Sequence, residues 1–226
     1  IHCGLVGSEM CIRDSYYMTS RLKDNMILKN ISLTRGLKTI FSSLNIEFLC
    51  PGLNIIKGEN GSGKTSLLMM ISTLLQEDRG TIIRFGKLKK NDWLNEHILI
   101  KQNSSLSDEL TIEENLKIWC GLKGWDFNTD KIEKSLKNFG ILKYKNFLVS
   151  ECSSGIKKKA ELSKLNFDES FKLKCWLLDE PLNHLDENGK LFLKKIMDKF
   201  INMNGTILQT SHEKKINHKN FKIIKL

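Results

Sequence analysis

The sequence is short of several things. Proline occurs only twice in 226 residues, and arginine supplies only five of the 36 basic residues. No apolar run approaches the roughly 20 residues needed to cross a bilayer as a helix. The longest, "LLMMISTLL" (Leu67–Leu75), is short and carries Ser72 and Thr73. The chain therefore does not cross a membrane on a helix of its own. The six cysteines (Cys3, Cys11, Cys50, Cys120, Cys152, Cys175) contain no CxxC pair and no metal spacing. That leaves mostly buried thiols in a reducing compartment as the simplest expectation. There are no repeats, no linker and no low-complexity tract. A chain of this length suits one domain with a sizeable core.

What is present is lysine, with a net charge of +10. Basic charge can mean nucleic acid or an anionic membrane surface. The lysines are scattered, however, and Asn and Ile are also common, as an AT-rich genome would produce. Only Lys157–Lys159 form a tight run, and a solvated helix face is the expectation there. The stretch "GLVGSEMCIRDS" (Gly4–Ser15) lacks periodicity and lacks the layout of a secretory signal. Residues 1–25 are read as a non-native leader, with Met26 as a natural start.

Strand patterns occur at Met26–Leu33, Ser42–Leu49, Gly52–Gly58, Gly80–Gly86, Glu96–Gln102, Lys174–Pro181, Gly205–His212 and the final "FKIIKL". Helix patterns occupy Lys64–Leu75, the segment opened by a capping box of Thr111 and Glu114, Thr129–Asn138, and Asp186–Ile201. Alternation of this kind predicts an α/β fold with a sheet covered on both faces.

One motif sets the chemistry. "GENGSGKT" (Gly58–Thr65) fits G-x-x-x-x-G-K-T, the Walker A pattern, between a predicted strand and a predicted helix. Glycines 58, 61 and 63 let the loop curl so that backbone N–H groups converge on phosphate oxygens. The helix beginning near Lys64 aims its positive end at the same anion. Lys64 reaches the β- and γ-phosphates, and Thr65 offers a hydroxyl to Mg²⁺. A second motif, "CWLLDE" (Cys175–Glu180), is an apolar strand ending in two acids, where open α/β sheets bind ligands. Asp179 is expected to hold Mg²⁺ through water and Glu180 to polarise the attacking water.

These motifs, in this order with Gln102, "CSSGI", "NHLD" and His212, resemble ABC-type ATPase subunits over Met26–Leu226. The resemblance implies a P-loop NTPase fold of ABC type: a mixed sheet flanked by helices, with a helical subdomain at about 103–165 carrying the signature loop. It implies ATP binding by Gly58, Glu59, Asn60, Gly61, Ser62, Gly63, Lys64, Thr65 and Ser66. Magnesium falls to Thr65, Gln102 and Asp179, and catalysis to Glu180 with His212 and Gln102. The family's signature loop reads L-S-G-G-Q and contacts the γ-phosphate held by the opposite subunit. Here it reads Cys152-Ser153-Ser154-Gly155-Ile156, which keeps Ser153 and Gly155 and places Ser154 between them. Asp186 stands in the D-loop. The family's adenine-stacking aromatic is missing, and Arg35 lies near its place. "LSDELTIEENL" and "KTIFSSLNIEF" look like the haem-exporter ATPase subunit of bacterial cytochrome c maturation. That likeness implies a second ATPase subunit in a homodimer, integral membrane subunits as partners, no nucleic acid, and a place on the cytoplasmic face of the inner membrane. The alternatives are the ATPase of another small ABC transporter, a soluble ABC protein acting on nucleic acid or ribosomes, and a non-hydrolysing subunit.

Overall fold

The computed structural model describes residues 25–86, 93–125, 128–167, 173–211 and 221–226. The leader reading at the N-terminus and the reading of His212 lie outside the described residues.

Two sheets organise the chain. β1 (Met26–Arg35) pairs antiparallel with β2 (Lys38–Glu47) and with β4 (Arg79–Arg84), in the order β2-β1-β4. β2 begins four residues earlier than its own pattern suggests. The reason is its partner: Arg35 faces Lys38 across a turn at Gly36 and Leu37, and Gly36 takes the left-handed φ of +60° that such a turn requires.

The second sheet is wholly parallel, with order β5-β6-β7-β3-β8. Its strands are β3 (Gly52–Lys57), β5 (His97–Ile100), β6 (Cys175–Leu178), β7 (Thr206–Thr210) and β8 (Phe221–Lys225). Successive side chains of a strand point to opposite faces, and β6 shows the consequence. Cys175 and Leu177 join one core with Leu67, Leu68 and Ile71, while Trp176 and Leu178 join the other with Leu116, Leu136, Leu162 and Phe200. A sheet buried on both faces accounts for the unbroken apolar reading of "CWLL". Asn54 is one of the buried polar residues of this sheet. Its amide accepts from the Leu49 N–H at 2.8 Å and donates to the Leu49 carbonyl at 2.9 Å and to the Ile207 carbonyl at 3.4 Å, so a neighbouring loop and β7 together pair it.

The helices are α1 (Lys64–Ile71), α2 (Ile112–Leu122), α3 (Thr129–Asn138), α4 (Ser154–Ser163) and α5 (Glu187–Asn202). α2 starts with the expected capping box: Thr111 Oγ1 accepts from the Glu114 N–H, and the Glu114 carboxylate accepts from the Thr111 N–H. α1 stops four residues short of its pattern. Ser72 donates its hydroxyl to the Met69 carbonyl at 3.0 Å, and Thr73 adopts a φ of +71°. Short hydroxyl side chains compete with the helical ladder in this way.

Candidate functional site

β3 ends at Lys57, and the chain passes through Gly58–Gly63 into α1. Gly61 and Gly63 carry φ of +80° and +100°, so backbone N–H groups turn inward along the loop. Gly63 also has no room for a side chain: a Cβ there would lie 2.5 Å from Ile40 Cγ2 and 2.7 Å from Phe41 Cζ. Lys64 is buried, and its ammonium donates to the Gly58 and Glu59 carbonyls at 2.8 and 2.9 Å. The cation thus lies folded over the loop that its own backbone forms. Ser62 Oγ is buried with no hydrogen-bond partner. An orphaned hydroxyl inside a cationic, N–H-lined loop suits a phosphate oxygen. Lys38 Nζ touches the loop as well, at 3.3 Å from the Gly61 carbonyl. Arg35, which the sequence offers for base stacking, is exposed at the end of β1.

The two acids follow β6. Asp179 is 2% exposed, and its carboxylate accepts from two hydroxyls: Thr65 at 2.8 Å and Thr210 at 2.7 Å. Thr65 heads α1 and Thr210 ends β7, so one carboxylate ties together a helix and two strands. Thr65 and Asp179 are hard oxygen donors side by side at the loop mouth, the donor chemistry that Mg²⁺ takes. Glu180 adopts a φ of +46°, outside the ordinary range for a glutamate, and its N–H donates to Thr210 Oγ1 at 2.8 Å. The carboxylate accepts from the Asn183 amide. Beside it lies a cavity of about 310 Å³ lined by Glu180, Asn183, Lys190, Gln209, Thr210 and Ser211. Strain at such a residue is held by surrounding structure and clusters at functional sites.

Gln102 is exposed just beyond β5. It lines a second cavity of about 280 Å³ together with Asp108, Ser154, Lys157, Lys158 and His184. Ser153 caps α4 by accepting from the Ile156 N–H at 3.4 Å. Ser153 and Ser154 are exposed, and Gly155 approaches the D-loop so closely that a Cβ would stand 3.0 Å from the His184 carbonyl. Among the described residues, none of the three hydrogen-bonds the phosphate loop. Asp186 caps α5 and accepts from Lys159 at 2.8 Å. That ammonium, with the Gly189 N–H, holds its carboxyl below the usual range.

Two features escape the sequence patterns. Thr210 bridges both acids, and its only signal is its place two residues before His212. The lysine run is not a solvated face. Lys158 is 3% exposed, and Lys157 and Lys159 are each paired with a carboxylate.

A phosphate loop after β3 and two acids after β6, with β7 between the two strands, on a parallel sheet covered by helices, define a P-loop nucleotide-binding domain. The family model for the ABC transporter matches residues 43–183, and the chain belongs to that family as an ATP-binding, ATP-hydrolysing subunit. Curated relatives include the cytochrome c biogenesis ATP-binding export protein CcmA of Sodalis glossinidius, 30% identical over 83% of this chain and 89% of the relative. The protein of the same name from Reclinomonas americana is 31% identical over 83% and 85%. Among solved structures, an ATP-binding subunit of an ABC transporter superposes with a TM-score of 0.73 at 20% identity, covering 83% of this chain and 79% of that one. A dimeric bacterial ABC transporter cassette superposes at 0.70 with 18% identity, covering 83% and 88%. At such identities the structural likeness concerns the fold alone.

Proposed function

We propose that this chain is the ATPase of the haem exporter of bacterial cytochrome c maturation, acting at the cytoplasmic face of the inner membrane beside integral membrane subunits. The names of its curated relatives support the cytochrome c assignment. Residues 26–226 form the ATPase domain, with about 103–165 as the helical subdomain. The observation that carries the chemistry is the junction of Thr65, Asp179 and Thr210, which fixes the mouth of the phosphate loop against the Glu180 backbone.

In this reading Lys64, Ser62 and the loop N–H groups bind the phosphates of ATP. Thr65, Asp179 and Gln102 hold Mg²⁺, which supplies neutralisation of charge on the phosphate oxygens. Glu180 orients and polarises the attacking water, with Gln102 and His212 at the γ-phosphate. Phosphoryl transfer depends on positioning and charge stabilisation. The signature residues Ser153 and Ser154 are exposed, and Gly155 half-buried, at the start of a helix, as a contact to the opposite subunit requires. Two copies facing head to tail would place them, with Asp186, against the partner's nucleotide, and closure of that dimer would move the membrane subunits.

The test pairs two variants. Lys64→Ala should abolish measurable ATP binding. Glu180→Gln should keep ATP affinity and cut hydrolysis on the order of 10²-fold or more. Wild-type turnover by Glu180→Gln would sink the water-activating role. Copurification from detergent-solubilised native membranes tests the transporter, since recovery of a different permease would discard the haem assignment alone.

A further inference from the structure

Lys157, Lys158 and Lys159 leave α4 in three directions, because successive helical residues lie 100° apart. Lys157 pairs with Asp108 at 2.7 Å and Lys159 with Asp186 at 2.8 Å. Lys158, between them, points inward. Its ammonium donates to the Lys101 carbonyl at 2.9 Å and lies 3.5 Å from the carbonyls of Gln102 and Asp179. One turn further along, Glu161 accepts from Ser105 at 2.6 Å.

An ammonium has three donors and no acceptor, and here three carbonyl oxygens face it. Those oxygens belong to the ends of two neighbouring strands. Gln102 follows β5 and Asp179 follows β6, and the Asp179 N–H donates to the Ile100 carbonyl at 2.8 Å. Burial pulls the Lys158 pKa down, while Glu161, Asp179 and Glu180 favour its charged form. A buried charge is costly unless fully partnered, so the carbonyl cage makes this position geometrically demanding.

We propose that Lys158 is a positioning residue for ATP hydrolysis. It sets the spacing between the backbone that presents Gln102 and the backbone that presents Asp179 and Glu180, and it locks both to the helix whose first residues form the signature loop. Lys157 and Lys159 extend the lock to the segment after Gln102 and to the D-loop. This inference rests on the site reading above.

The experiment uses the full chain with Lys158→Met, Lys158→Arg and, as a control, Glu180→Gln. ATP affinity and the kcat and KM of MgATP hydrolysis are measured on protein shown to be folded by circular dichroism. Lys158→Met should keep ATP affinity within about threefold and lose at least about tenfold in kcat, because misplacement by about 1 Å costs on the order of 10²-fold. Lys158→Arg should restore most of the kcat. Lys158→Met with kcat within about twofold of wild type, beside an inactive Glu180→Gln, overturns the positioning role. Loss of ATP affinity and kcat together, without rescue by Arg, also overturns it and leaves a purely structural role. Wild-type turnover by Glu180→Gln would fault the site reading instead. Should Lys158→Met fail to fold, Lys158→Gln, which keeps two N–H donors for the carbonyls but no charge, is judged by the same criteria.

Discussion

Replacing Thr210 with valine removes one hydroxyl and almost no volume, which makes it a clean perturbation of the two acids. That hydroxyl donates to Asp179 Oδ1 at 2.7 Å and accepts from the Glu180 N–H at 2.8 Å. Thr210 and Asp179 are 0% and 2% exposed, so water cannot replace the lost partner without rearrangement. A hydrogen bond to a charged group contributes about 1.5–3 kcal/mol and a neutral one about 0.5–1.5, so Thr210→Val should cost about 2–4 kcal/mol. For a chain of this size the midpoint should fall by about 5–15 °C. Urea unfolding measures the cost directly, with the denaturant slope unchanged. Thr210→Ser, which keeps the hydroxyl, should retain most of the lost stability. With the Asp179 carboxylate released on one side, the Mg²⁺ dependence of hydrolysis should shift to higher metal concentration. A stability within about 0.5 kcal/mol of wild type, the level of an ordinary surface change, would refute the bridging account.

Two further predictions concern stability and the loop. Burial lowers the His97 pKa to about 4, although the Trp93 carbonyl opposes the shift. The unfolded chain, at about 6.5, binds the proton first, so stability is fully present above that value and falls as pH drops from about 6.5 toward 4, by about 3 kcal/mol in all. Urea unfolding at pH 5 and pH 7 should show the difference, and His97→Phe should flatten it; an unchanged slope in the variant assigns the effect elsewhere. At Gly63, alanine would collide with Ile40 and Phe41 and be strained at a φ of +100°. Gly63→Ala should therefore weaken ATP binding by at least about tenfold and cost about 1–3 kcal/mol, and calorimetric affinity equal to wild type would contradict the loop geometry.

The local motifs were legible because their physics is local. Glycine spacing, a lysine and a threonine at a strand–helix junction specify a phosphate loop from eight residues. An apolar run ending in Asp179 and Glu180 specifies a buried strand with acids at its tip. The capping box at Thr111 and Glu114 needs only four residues to be read. The end of α1 and the start of β2 were less legible, because one depends on Ser72 and Thr73 competing with the helix and the other on a turn closed by β1.

The lysine run marks the limit most clearly. Its composition indicates solvent, and its helix presents three neighbouring side chains on different sides. Which of them becomes buried depends on where the ends of β5 and β6 lie, and those strands are contributed by segments more than 50 residues apart from each other. Thr210 is the same case, since a hydroxyl at a strand end gains a role only when β7 is laid beside β6. The sequence by itself determined the nucleotide chemistry, the class of fold and the order of the motifs, because backbone conformation and charge at short range are written in neighbouring residues. Tertiary structure alone decided which polar groups meet across strands, because the strand order β5-β6-β7-β3-β8 brings distant residues together and burial makes their hydrogen bonds count.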